Sequence, residues 1–183
     1  MKGTTPEGAR NEEEAARWVR AMFGRVARRY DFANHLLSLQ IDRLWRRRVV
    51  KLVRPVLRRK GARVMDLCCG TGDLMLALSR DRGEAVMGSD FCHPMLRMAA
   101  RKGAQSPLVE ADALRLPIRD GSLDLITVAF GFRNFVDYQG GLREMRRVMR
   151  EGGMVAILEF SRPPNPVFRK IYEAYSGRVL PWV

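Results

Sequence analysis

The sequence predicts an α/β domain, a parallel sheet whose strands alternate with helices, led in by a basic helical segment. From residue 63 onward, short apolar runs alternate with stretches of helical periodicity, the pattern of parallel strands joined by right-handed crossovers. The octet Asp66-Leu-Cys-Cys-Gly-Thr-Gly-Asp73 joins the first of these runs to a helix through a glycine-rich turn. Residues 1–60 instead hold 16 Lys/Arg against 6 Asp/Glu and read as helices. The 183 residues therefore divide into an N-terminal helical cap, 1–60, and an α/β domain, 61–183.

Each element has a local reason. Asn11 followed by Glu12, Glu13 and Glu14 is a helix start, with Glu14 at the capping-box position. Trp18, Met22, Val26 and Tyr30 recur every four residues, so this amphipathic helix is expected to run to about Arg29. A second helical segment covers roughly 34–59, interrupted near Gln40-Ile41-Asp42 and at Pro55. Strands are predicted at 64–68, 86–90, 107–111 (running on to Asp112 and Ala113), 123–129 and 154–160. Helices fall between them: one leaving the turn through Leu74, Leu76, Ala77 and Leu78, then Pro94–Lys102, Gly141–Arg150 and finally Val167–Val179. The N-terminal helices are expected to cover the mouth of a ligand site at the carboxyl ends of the strands.

The turn narrows the ligand. Gly70 and Gly72 permit a tight bend, but the third glycine of a dinucleotide fingerprint is replaced by Met75. Asp73 occupies the helix start, where a carboxylate suits the helix dipole and repels a phosphate. The ligand predicted is an adenosine compound without phosphates, and S-adenosylmethionine fits. Asp90 ends the second strand 18 residues beyond Gly72, close to where an acid reaches ribose hydroxyls in such folds. Asp112 is placed to accept from the adenine amino group, and Ala113 leaves room for the ring. Either acid alone suits an N-cap or a loop; Asp66, Asp90 and Asp112 in register with the turn are harder to dismiss. The fold class is thus a Rossmann-like, class I S-adenosylmethionine-dependent methyltransferase fold.

Composition bounds the rest. The net charge is +13, of which +10 lies in residues 1–60. Arg43, Arg46, Arg47, Arg48, Lys51, Arg54, Arg58, Arg59 and Lys60 crowd one stretch, interleaved with Leu44, Trp45, Val49, Val50, Leu52, Val53, Val56 and Leu57. Such a helix can lie on an anionic membrane surface, each basic residue contributing about 1 kcal/mol near the headgroups. It can equally turn its apolar side to the domain and its arginines to solvent, and a nucleic-acid backbone would attract the same charges. No apolar stretch approaches the roughly 20 residues that span a bilayer, and Met1–Gly8 lacks the apolar core of a signal peptide. Cys68, Cys69 and Cys92 form no disulfide or zinc framework and suit a reducing cytoplasm. No metal site is expected, and His35 and His93 lack partners at ligand spacing.

Beyond these local readings, the chain resembles the UbiE/MenG family of quinone-biosynthesis C-methyltransferases over roughly residues 22–183. The resemblance rests on Tyr30-Asp31-Phe-Ala-Asn34, Asp42-Arg43-Leu-Trp45, the octet, and Asp112-Ala-Leu-Arg-Leu-Pro117. Most specific are Ala129-Phe-Gly-Phe-Arg-Asn134, Leu158-Glu-Phe-Ser161, and Ala174-Tyr-Ser176 with Leu180-Pro181. It implies cofactor contacts at Thr71, Asp90, Asp112 and Ala113, beside Asp66, Gly70 and Gly72 of the turn. Ala129 stands where members often carry a serine, which puts one cofactor hydrogen bond in question. The family implies a seven-stranded sheet; this sequence supplies five strands, so the fifth is expected to present an edge through which two copies could associate.

The implied reaction is methyl transfer from S-adenosylmethionine to a ring carbon of a reduced polyprenyl quinone, in the menaquinone or ubiquinone pathway. Arg133 can hold a phenolate oxygen or an ordered water, and Asn134 can orient either. Arg133 can instead pair structurally with Asp137 or Glu159. Glu159 is a rival proton acceptor, since burial would raise its pKa. Tyr30 and Asp31 are candidates to close the lid, and Tyr175 to line a tail channel. The resemblance also implies a cytoplasmic protein, peripheral at the inner membrane surface. A nucleic-acid methyltransferase is the rival enzyme class, but Ala129-Phe-Gly-Phe stands where base N-methylation uses N/D-P-P-Y/F. No cysteine follows Cys92 to serve as a C5-pyrimidine nucleophile. A third alternative is a cofactor-binding subunit without turnover. The ring of the acceptor, benzoquinol or naphthoquinol, is left open.

Overall fold

The computed structural model describes residues 3–6, 8–37, 41–102 and 106–160, with side chains left aside along 26–37. The expected helix at 167–179, Tyr175, and the side chains of Tyr30, Asp31 and His35 lie outside the described residues. Five parallel strands form one sheet in the order β3-β2-β1-β4-β5: β1 Val64–Leu67, β2 Met87–Asp90, β3 Leu108–Glu110, β4 Leu123–Ala129 and β5 Met149–Leu158. Helices α3 (Asp73–Arg82) and α4 (His93–Arg101) connect β1 to β2 and β2 to β3, and α5 (Tyr138–Val148) connects β4 to β5. Because β4 returns to the far side of β1, the chain reverses direction between these two strands. A crevice opens there at their carboxyl ends.

Helices α1 (Glu12–Leu37) and α2 (Ile41–Leu57) precede the sheet. The Asn11 side chain caps α1, its Oδ1 accepting the Glu14 N–H at 2.8 Å. The Glu14 carboxylate reaches back to the Arg10 N–H at 2.9 Å, one residue earlier than a capping box requires. The helix continues past Arg29, and its buried stripe differs from the one expected. Ala15 and Val19 are buried and Phe23 packs on α4, whereas Trp18 is 47% exposed. The Trp18-Met22 periodicity marks a neighbouring face.

Helix α2 answers the question its charge left open. Val49, Val50, Val53, Val56 and Leu57 are buried with Leu74, Met75 and Leu78 of α3 against one face of the sheet. Arg43, Arg47, Arg48, Arg54, Arg58 and Arg59 face outward, while Arg46 is largely buried. Pro55 lies within the last turn and does not interrupt the helix; its missing N–H forgoes the single helical bond to the Lys51 carbonyl. Of the expected cap, α1 reaches the site mouth, while α2 is mainly a core helix. The opposite sheet face packs Met65, Leu67, Ile126 and Val128 against Phe135, Met145 and Val148.

Two boundaries shift for reasons of close packing. Helix α5 begins at Tyr138, three residues before the expected start at Gly141, and ends at Val148 rather than Arg150. A Cβ at Gly141 would stand 2.3 Å from the Phe135 ring, so only glycine lets the helix approach it. Strand β5 begins at Met149, before the Gly152-Gly153 pair, because residues 150–153 bulge out between the Leu123–Met149 and Leu125–Met154 pairings. Gly152 carries the left-handed backbone (φ +72°) that this bulge uses.

Candidate active site

The carboxyl ends of β1, β2, β3 and β4 converge on a cleft of about 770 Å³, open to solvent on one side. Cys68, Gly70, Asp90, Phe91, Ala111, Asp112 and Ala113 line it from the sheet, and Ala129, Phe130, Gly131, Asn134 and Phe135 from the segment after β4. Ala16, Val19 and Phe23 of α1 form an apolar wall across the mouth. A second cavity of about 370 Å³ adjoins it, sharing Cys68, Gly70, Ala129 and Phe130 and adding Arg46, Asp66, Thr71 and Asp73. The turn between β1 and α3 separates the two. Gly70 and Gly72 both have positive φ, +54° and +86°. A Cβ at Gly70 would meet nothing within 4 Å, so the turn leaves open space above it. Gly72 lines neither cavity; a Cβ there would lie 3.1 Å from Met75 Cε and 3.2 Å from Ala99 Cβ. Its role is the close packing of α3 on α4.

Carboxylates dominate the electrostatics. Asp90 is buried, Oδ2 accepting the Gly70 N–H at 2.8 Å and Oδ1 the Cys92 N–H at 2.9 Å. Burial raises its pKa above the ordinary carboxylate value, opposed by these backbone hydrogen bonds. Asp66 accepts the Thr127 hydroxyl at 2.6 Å, and burial pushes its pKa up to about 7. Asp112 is exposed, and its Oδ1 accepts the Leu114 N–H at 2.9 Å. Asp73 behaves differently from expectation. Lys102 Nζ stands 2.7 Å and Arg46 Nη1 3.4 Å from its carboxylate, so the start of α3 is no longer a lone negative charge. Repulsion of phosphate there cannot rest on Asp73. Lys102 also donates to the buried Thr71 hydroxyl at 2.9 Å. Burial, reinforced by the neighbouring acids, raises the Cys68 thiol far above its ordinary pKa, which disfavours a nucleophilic thiolate.

After β4 the chain turns sharply at Phe130, a non-glycine residue at φ +59°, and enters a short 3-10 turn, Phe132–Asn134. Gly131 lies against Cys68, where a Cβ would come within 2.5 Å of the cysteine's own. The Phe130 ring packs on Phe160 at 4.7 Å and on Trp45 at 6.2 Å between centroids. Asn134 lines the cleft. Arg133 does not: its guanidinium pairs with Glu159 at 3.3 Å and lies 4.9 Å over the Phe160 ring. Its backbone N–H also donates to Glu159, at 3.1 Å. Glu159, expected to be buried enough to act as a base, stands at the rim and is a partner of Arg133.

The model of the ubiE/COQ5 methyltransferase family matches residues 9–183. The chain belongs to that family. Among its relatives, the demethylmenaquinone methyltransferase of Thermus thermophilus is 47% identical over 167 residues, covering 88% of this chain and 74% of that protein. The demethylmenaquinone methyltransferase of Staphylococcus aureus (strain Newman) is 41% identical over 168 residues, covering 89% and 68%. Two solved structures share the fold. A SAM-dependent methyltransferase from Thermotoga maritima aligns with a TM-score of 0.64 at 19% identity, over 87% of this chain and 70% of that one. Another, from Aquifex aeolicus, aligns with a TM-score of 0.54 at 24% identity, over 63% and 65%.

Within this ubiE/COQ5 methyltransferase, the residues named from sequence sort by position. Gly70, Asp90, Asp112, Ala113, Ala129 and Asn134 meet at the main cleft, with Thr71 and Asp66 at the adjoining cavity. Gly72, Arg133 and Glu159 line neither. Sequence reasoning passed over Arg46, one arginine in a basic run, and the apolar wall of α1. A signal for Arg46 existed: Asp42 is the only acid between residues 32 and 65, four residues ahead on the same helix face.

Proposed function

We propose that the protein methylates a ring carbon of demethylmenaquinol with S-adenosylmethionine as donor, in menaquinone biosynthesis. One observation carries this reading: the same cleft is lined by two carboxylates, Asp90 and Asp112, and by an apolar surface of Val19, Phe23, Phe91 and Met95. Acids suit an adenosine compound with a cationic sulfur, and the apolar wall suits a prenylated naphthoquinol. The 47% identity to the Thermus enzyme supports the same acceptor.

The donor fits the residues present. The open space over Gly70 would take its backbone-hugging centre, and Asp90, which accepts the Gly70, Cys92 and Phe91 N–H groups, keeps acceptor capacity for a ribose hydroxyl. Asp112 would accept from the adenine amino group beside the small Ala113. When bound, S-adenosylmethionine supplies a methyl group made electrophilic by positive sulfur. The acceptor must be reduced, because a hydroquinone oxygen pushes electron density onto the adjacent ring carbon while the oxidised ring is electron-poor. The ring carbon forms a bond to the methyl carbon, the methyl–sulfur bond breaks, and the ring then releases its proton. Holding the two in line contributes about 7–11 kcal/mol in favourable cases.

Asn134 would orient a quinol oxygen from the cleft wall. An arginine side chain stays protonated and is no base; with its backbone N–H and guanidinium Arg133 would hold Glu159 at the rim as the acceptor of the ring proton. Tyr30 is retained as a candidate lid residue. A prenylated acceptor resides in a bilayer, and exposed Arg43, Arg47, Arg48 and Lys51 beside Leu44 and Leu52 support peripheral docking on anionic lipid.

Purified protein with methyl-labelled donor should label reduced demethylmenaquinone and leave the oxidised quinone untouched. Asn134→Ala and Glu159→Gln should each lower kcat by roughly tenfold or more with donor affinity little changed. Label transfer to nucleic acid but not to the quinol would discard the acceptor.

A further inference from the structure

The second cavity has a chemistry the reaction so far leaves unused. We propose that Arg46, carried by α2, binds the α-carboxylate of the donor's amino-acid end, making the N-terminal helices part of donor recognition. The proposal rests on the donor reading above and is independent of the quinol acceptor.

Four observations support it. The two cavities share Cys68, Gly70, Ala129 and Phe130, and Asp112 lines only the main cleft, so a donor with its base near Asp112 would extend its other end here. The cavity offers both signs of charge, Arg46 against Asp66 and Asp73, which complements a zwitterion. The Arg46 side chain is only 11% exposed, yet it comes from outside the sheet. Its position is fixed: Nη1 lies 2.5 Å from Asp42 Oδ2 on the preceding turn and 3.4 Å from Asp73, and the guanidinium stands 5.8 Å from the Phe130 ring.

Geometry distinguishes this from a plain structural ion pair. Its ion pairs with Asp42 and Asp73 are both made by Nη1, whereas the guanidinium fork carries five N–H donors in a plane matched to a carboxylate. A helix needing only a link to α3 has one already, in the Arg54–Asp81 and Arg58–Asp81 pairs farther along. Asp42, buried at 2% exposure, balances the arginine's charge and would hold its stem when an anion binds. Lysine would present a point charge without the fork.

Calorimetric titration of the intact protein tests this without turnover. The probes are S-adenosylmethionine and its decarboxylated form, which keeps the sulfonium and the amine and lacks only the carboxylate. The wild-type protein should bind the decarboxylated form roughly tenfold or more weakly. In Arg46→Gln that gap should close, through weaker binding of S-adenosylmethionine alone, and Arg46→Lys should restore part of it. Equal affinity for the two probes in the wild-type protein would overturn the proposal while leaving the donor reading intact, even if the variants fail to fold. A gap that persists unchanged in Arg46→Gln would overturn it too. Binding of neither probe would remove the donor reading and this inference with it.

Discussion

Asp66 sits in the middle strand of the sheet with both neighbours paired, and its environment makes protonation a folding question. Burial holds its pKa at about 7, while in the unfolded chain it returns to the ordinary value of 3.8. Between those values the folded protein binds the proton more tightly, so the group's stabilising contribution is present below about pH 4 and is lost as pH rises through 7. The full effect is on the order of a few kcal/mol. Asp66→Asn keeps an acceptor for the Thr127 hydroxyl and removes the titration. The difference in Tm between variant and wild type should grow in the variant's favour from pH 5 to pH 8, and parallel melting curves across that range would refute the assignment. Asp90 was legible in sequence as the acid ending β2. Its engagement by the Gly70 and Cys92 N–H groups was not, since both bonds depend on how the turn and α4 fold back over it.

Helix α2 shows how far periodicity reads an element. Its pattern of basic and apolar residues fits two environments equally well, because amphipathicity reports that one face is dry and not what dries it. In the folded chain Leu57 is fully buried between α2, α3 and the sheet, while Leu52 is 62% exposed on the same helix. Leu57→Ala should therefore cost about 2–5 kcal/mol and Leu52→Ala less than about 0.5 kcal/mol, as read by denaturant unfolding. Similar losses at both positions would mean that α2 does not pack by this face. Helix α1 carries the complementary lesson. Trp18 and Met22 repeat at helical spacing, but the smaller Ala15 and Val19 are the residues buried. Close approach to α4 favours small side chains, and size does not appear in a hydrophobic period. The strands were read more faithfully: β4 runs from Leu123 to Ala129 as its apolar stretch indicates, since buried parallel strands are apolar throughout.

At the scale of the whole molecule, charge and exposed apolar surface coincide. Leu44 and Leu52 are 59% and 62% exposed on a helix whose Arg43, Arg47, Arg48 and Lys51 also face solvent. No helix among the described residues is long and apolar enough to cross a membrane. The protein should sediment with vesicles containing anionic lipid at low salt and release as ionic strength rises, because these contacts are screened over about 8 Å at 0.15 M salt. Reversing Arg43, Arg47 and Arg48 to glutamate should abolish retention while Tm stays near that of the parent. Vesicle binding that ignores both salt and charge reversal would count against surface docking. Strand β5 pairs only with β4 among the described residues, so its outer edge is where two copies would meet; a monomeric mass in solution would set that aside.

The amino-acid order by itself determined the class of the fold, the glycine-rich turn, and the acids at the ends of β2 and β3. These are local: each depends on a strand ending, a backbone bend, and the residue that comes next. It determined the family as well, through segments such as Ala129–Asn134. Only the tertiary structure decided which arginine lines the site. Arg133, adjacent to the cleft in sequence, turns to Glu159 and Phe160, while Arg46, twenty residues before Asp66, lines the same cavity as that acid. A long charged side chain goes wherever a counter-charge and a flat ring stabilise it, and both are supplied by other elements of the fold.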